Sequence, residues 1–69
     1  MFTKKQFTIK LAKKIRQLRK EKGMSQEELA HEAGLYRTYV GHIEKGRYSP
    51  SAYVLYKISR ALKVKAEVL

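Results

Sequence analysis

The sequence predicts an all-α bundle of four helices and a short fifth, organised around two short helices joined by a tight turn. Three observations carry this. Apolar residues recur at helical spacing through residues 7–18, 29–33 and 55–62. Breaks containing Gly23, Gly34, Gly46 and Pro50 separate those stripes. At one break stands Ser25-Gln26-Glu27-Glu28, the pattern of a reciprocal helix cap.

Phe7, Leu11, Ile15 and Leu18 form the apolar stripe of a first helix running from about Thr3 or Thr8 to Lys22. Thr3 with Gln6 reads as a capping box and Thr8 as a later cap, which leaves the first residue open. Gly23 ends the helix. Its other face carries Lys10, Lys13, Lys14 and Lys20, a solvated surface that adds to the electrostatic field. Ser25 then caps a helix starting at Gln26, with Leu29, Ala30 and Ala33 on one face. Gly34 follows where a sharp turn requires positive φ. The next helix is expected from about Arg37 to Lys45. At about 100° per residue, Val40 and Ile43 face the core while Thr38, Gly41, His42 and Lys45 lie opposite.

Gly46-Arg47-Tyr48-Ser49-Pro50 reads as a loop, because proline cannot continue a helix and biases Ser49 towards extended backbone. Ser51 caps a fourth helix whose inward stripe is Leu55, Ile58, Ser59 and Leu62, with Tyr53, Tyr56, Lys57 and Arg60 elsewhere. This helix ends at Lys63, and residues 64–69 supply at most one or two further turns. No repeat, low-complexity segment or linker interrupts residues 1–69, which read as a single domain. A core of this size contributes only about 3–5 kcal/mol net, so the chain must pack efficiently or oligomerise.

Sixteen Lys and Arg against six Asp and Glu give a formal charge of +10, enough to attract polyanions by counterion release. The charge is spread over several short helices rather than along one long amphipathic helix, which argues against a membrane-surface peptide. No apolar run approaches the roughly 18 residues of a membrane span, and the basic N-terminus lacks the apolar stretch of a secretory signal. The absence of cysteine excludes a disulfide scaffold and fits a cytoplasmic protein. No nucleophile-base pair, carboxylate dyad or Gly-rich phosphate loop points to an enzyme. His31 with Glu28 and Glu32 reads as a solvated helix face, so neither a metal nor a cofactor is expected.

With these elements placed, the chain resembles the phage-repressor and Cro type of helix-turn-helix protein, also called the xenobiotic-response-element family, from about Leu11 to Leu69. The resemblance rests on the ordered combination of residues 15–19 (Ile-Arg-Gln-Leu-Arg), 23–30 (Gly-Met-Ser-Gln-Glu-Glu-Leu-Ala), 43–46 (Ile-Glu-Lys-Gly), Pro50-Ser51 and Ala61-Leu62. Within that family, residues 35–40 followed by Ile43-Glu44 are similar to the small controller proteins of restriction-modification systems, which are short single-domain dimers. Three positions depart from the pattern. Tyr36 replaces an Asp or small polar residue, Lys63 the favoured Gly, and Lys65 a Ser cap.

The resemblance implies DNA recognition by the second helix of the motif, with Arg37, Thr38, Tyr39 and His42 as base-contact candidates. A guanidinium at Arg37 forks onto guanine O6 and N7, and the Thr38 methyl packs on a thymine methyl. Tyr39 is alternatively a half-buried core aromatic, and His42 an exposed histidine in contact with water only. Gln26, Lys45 and Arg47 are the implied contacts to the sugar-phosphate backbone. Gly41 costs about 1 kcal/mol against Ala in mid-helix, and either close approach to DNA or a neutral cause accounts for it. Arg19 and Glu44 are implied to form a structural ion pair between the first and third helices.

The expected function is therefore sequence-specific binding of double-stranded DNA to regulate transcription, as a homodimer on a two-fold operator. Val64, Ala66, Val68 and Leu69 form the expected dimerisation segment, because the fourth helix already supplies the core with Leu55, Ile58 and Leu62. Alternatively, Val64 and Leu69 cap the monomer core. The rival function is a protein-interaction or antitoxin-type module on the same fold, a reading to which Tyr48, Tyr53 and Tyr56 contribute.

Overall fold

Side-chain caps decide where three of the helices begin. In the computed structural model, which describes residues 3–69, Thr3 accepts from the Gln6 N–H at 3.1 Å while Gln6 Oε1 accepts from the Thr3 N–H at 3.0 Å. Helix α1 accordingly runs Lys4–Glu21. Ser25 and Glu28 exchange the same two bonds at 3.0 and 2.8 Å and open α2, Gln26–Glu32. The Ser51 hydroxyl accepts from the Val54 N–H and opens α4, Ala52–Leu62. Between them lies α3, Tyr39–Glu44, and a single 3₁₀ turn, Ala66–Val68, follows α4. The all-α fold is as the sequence predicts; Met1 and Phe2 of the expected domain lie outside the described residues.

Helix α3 is shorter than expected. Thr38 precedes it without a side-chain cap, and the Tyr39 N–H bonds the Tyr36 carbonyl at 2.9 Å, which places Arg37 and Thr38 in the middle of a tight turn. The first helical bond joins the His42 N–H to the Thr38 carbonyl at 3.3 Å. Arg37 and Thr38 are thus presented by the turn leading into the helix, not by its first turn.

Ile15, Leu29, Val40, Ile43, Ile58 and Leu62 bury their side chains almost completely, so all four helices meet in one core. Each such side chain contributes about 1.5–3 kcal/mol on burial. The inward line of α1 departs from the expected stripe at its start. Phe7 is 47% exposed, and Thr8 is buried instead, donating to the Lys4 carbonyl at 2.9 Å. Seven residues come within about 20° of two full turns, whereas eight overshoot by about 80°. Thr8 therefore lies in line with Ile15 and Phe7 lies off to one side. In α4 the inward Ser59 is buried and donates to the Tyr56 carbonyl at 2.8 Å, which satisfies the one polar group in that stripe.

Two contacts orient the α2–α3 unit on this core. Gly34 adopts φ +68°, and the Leu35 N–H returns to the Ala30 carbonyl at 2.8 Å, closing α2 and redirecting the chain. Lys57 of α4 donates to the Gly34 carbonyl at 3.2 Å while its ammonium lies 5.2 Å from the centre of the Tyr53 ring. The cation thus sits at the negative end of α2.

Candidate nucleic-acid interface

Helices α2 and α3 enclose an open concavity of about 510 Å³ lined by Gln26, Glu27, Arg37, Thr38, Gly41, His42 and Lys45. Five of the residues singled out for DNA contact, Gln26, Arg37, Thr38, His42 and Lys45, therefore share one surface. Arg37 and Lys45 are exposed, and their side chains make no hydrogen bond or ion pair with other described residues. Their charges remain available to an outside anion. Glu27 also lines this surface, and the sequence reading missed it. Its signal was its place beside Gln26 in the first turn of α2.

Tyr39 and Arg47 do not line the concavity. Tyr39 is part-buried against the core, with its ring 5.3 Å from that of Tyr48 in an edge-to-face arrangement. Arg47 is exposed on the segment following Gly46. His42 lies between the two environments: it borders the concavity, and its ring centre is 4.9 Å from that of Tyr48. Its Nδ1 is buried and finds no hydrogen-bond partner among the described residues.

Behind the concavity, Arg19 grips Glu44 with two parallel bonds, Nε to Oε2 at 2.7 Å and Nη2 to Oε1 at 3.0 Å. Its Nη1 donates to the Met24 carbonyl at 2.8 Å. The bond to Glu44 holds the Arg19 guanidinium above its ordinary pKa range, against the opposing effect of burial. Gln26 completes the cluster, donating from Nε2 to Glu44 Oε1 at 3.0 Å. Its side chain is thereby committed to joining α2 to α3. A methyl group on Gly41 would come within 3.1 Å of Gln26 Oε1. The mid-helix glycine keeps room for that amide, a reason that neither sequence-based explanation contained.

The expected dimerisation segment divides. Val64 and Leu69 pack against the protein's own core, whereas Ala66 is exposed and Val68 is 43% exposed. Val68 and Leu69 line a shallow concavity of about 280 Å³ with Phe7, Lys10, Leu11 and Lys14 of α1. Among the described residues no group of three or more His, Cys, Asp and Glu side chains is placed to hold a metal, and no helix is long and apolar enough to cross a membrane.

The helix-turn-helix family matches residues 15–69 of the chain. An uncharacterized HTH-type transcriptional regulator of Methanothermobacter thermautotrophicus is 52% identical over 48 residues, covering 70% of each chain. Control protein C.BamHI of Bacillus amyloliquefaciens is 47% identical over 57 residues, 81% of this chain and 70% of that one. Among solved structures, the restriction-modification controller protein C.AhdI from Aeromonas hydrophila superposes with a TM-score of 0.86 at 38% identity, covering 88% of both chains.

Proposed function

The chain belongs to the helix-turn-helix family of DNA-binding transcriptional regulators, and from that premise we propose that it acts as a homodimer on a two-fold operator, as a restriction-modification controller. Family membership assigns it sequence-specific DNA binding rather than catalysis. The observation that carries the finer reading is the α2–α3 concavity, where unpaired cations and hydrogen-bonding side chains converge on a protein of charge +10.

In the proposed complex Arg37, Thr38 and His42 meet base edges in the major groove. Lys45, Arg47 and the start of α2 at Gln26 hold phosphates. Tyr39 supports that surface from behind, consistent with its part-buried ring. The partner copy covers the edge where Phe7 and Val68 are exposed, placing two recognition helices about 34 Å apart.

Selection of bound sites from a pool of random duplexes tests this reading. Enriched sequences should contain two inverted half-sites about one helical turn apart, and sedimentation should show a dimer. Failure to enrich any sequence would sink it. Exposed Tyr53 and Tyr56 favour the second reading, a module that holds a partner protein. Binding to random duplex that is insensitive to salt would support that alternative.

A further inference from the structure

We propose that Tyr48, in the loop after α3, is a positioning residue for base recognition, holding the His42 ring in the orientation that faces DNA. The chain reverses after Glu44: the Gly46 N–H bonds the Ile43 carbonyl at 2.9 Å and the Arg47 N–H bonds the His42 carbonyl at 3.0 Å. This reversal lays residue 48 back along the helix it has just left. The Tyr48 ring then contacts both Tyr39 and His42, with centres 5.3 and 4.9 Å away. Those two residues are three apart and therefore neighbours on one helical face.

Helix α3 has only six residues, too few to be stable alone, so its shape depends on what packs around it. Val40 and Ile43 anchor its inner side in the core. On the outer side the ring of Tyr48 performs that task, although Tyr48 is itself 44% exposed. His42 has its Nδ1 buried and without a partner among the described residues, so its outward chemistry resides in the opposite edge of the ring. Rotation of that ring would change which atoms enter the concavity. Contact with Tyr48 restricts the rotation before DNA arrives, and preorganisation of this kind raises specific affinity by lowering the ordering cost.

The inference rests on His42 reading a base, and the test separates the two claims. Tyr48→Phe, Tyr48→Leu, Tyr48→Ala, His42→Ala and the double variant Tyr48→Ala/His42→Ala are titrated against a duplex selected by the wild type and against random duplex. Tyr48→Phe should bind as wild type. Tyr48→Ala should weaken the selected duplex about tenfold with little change on random duplex, and the double variant should be no weaker than His42→Ala alone.

In NMR spectra the His42 ring protons should lose the ring-current displacement of Tyr48 in Tyr48→Leu and keep it in Tyr48→Phe. Tyr48→Leu preserves apolar bulk and serves where Tyr48→Ala does not fold; it should weaken the selected duplex selectively. If His42→Ala leaves the selected duplex unaffected, the base-contact reading falls and the positioning role with it. If His42→Ala weakens binding but the Tyr48 and His42 effects multiply, or if the Tyr48 variants lose both duplexes equally, only the positioning role is overturned.

Discussion

At the junction of α1, α2 and α3, Arg19 and Glu44 satisfy each other twice while Met24 and Gln26 take up further bonding capacity. At the edge where α1 meets the 3₁₀ turn, Phe7 and Val68 remain nearly half exposed. The first region is closed within one chain, and its forked hydrogen bonds fix the angle between helices because guanidinium and carboxylate tolerate few relative orientations. The second offers non-directional apolar surface, which gains free energy from whatever covers it. Directional bonds therefore shape the side proposed to read DNA, and uncovered area marks the side proposed for a partner.

Breaking the closed junction should have the largest effect. Arg19→Met leaves Glu44, whose side chain is only 3% exposed, without its cation. A cost of about 3–5 kcal/mol is expected. Arg19→Met combined with Glu44→Leu should recover part of that loss, since no unpaired charge remains and apolar pairs of similar volume are tolerated. Urea unfolding of the two variants checks both statements. A single variant as stable as wild type would show that the junction does not set the stability of the α1–α3 contact.

On the surface that this junction supports, substitutions should change binding rather than folding. Arg37→Ala is expected to cost about 1–3 kcal/mol on the selected duplex and to relax preference at one base pair. Equal loss on every sequence would reassign Arg37 to the phosphates. Lys45→Ala and Arg47→Ala should weaken selected and random duplex alike, each reducing the magnitude of the slope of log K against log salt by about one. An unchanged slope would remove them from the backbone contacts.

The apolar edge sharpens the comparison from its other side. Val68→Lys places a charge among Phe7, Lys10 and Lys14 without removing the core contacts of Val64 and Leu69. The variant should fold as wild type yet lose at least about 1 kcal/mol of dimer stability. Sedimentation would show a monomer at concentrations where the wild type is dimeric. A variant that stays dimeric would place the partner elsewhere.

What the sequence made legible follows the same division between local and long-range causes. The Ser25–Glu28 cap, the Gly34 turn and the inward Val40 and Ile43 depend on residues within one turn of each other, and spacing alone reveals them. Arg19 and Glu44 stand 25 residues apart, and only resemblance paired them. The bond between Gln26 and Glu44 likewise has no local signature, so the reason for Gly41 was hidden too. The late start of α3 reflects a missing cap at Thr38, where a residue type that often caps makes no such bond. Tyr48 read as an interface aromatic because nothing in its neighbours reveals that the chain folds back onto His42.

The smallest expected effect concerns how the helices end. Gly34, Gly23 and Gly46 follow α2, α1 and α3 with positive φ, but Lys63 performs the same turn after α4 at φ 58°. The Val64 N–H still returns to the Ser59 carbonyl at 3.0 Å, so the geometry is kept despite the side chain. Left-handed backbone costs a residue with a Cβ about 1–2 kcal/mol, and glycine avoids that while adding freedom to the unfolded chain. Lys63→Gly should therefore stabilise by about 0.5–1 kcal/mol, raising Tm by about 4 °C in a domain of this size. Lys63 lies beside Met24, Glu32 and Ala61, away from Arg37 and His42, so affinity for the selected duplex should not change. A lower Tm would show that the lysine stem packs usefully in that groove and outweighs the backbone cost. A higher Tm with weaker DNA binding would instead couple the end of α4 to the reading surface.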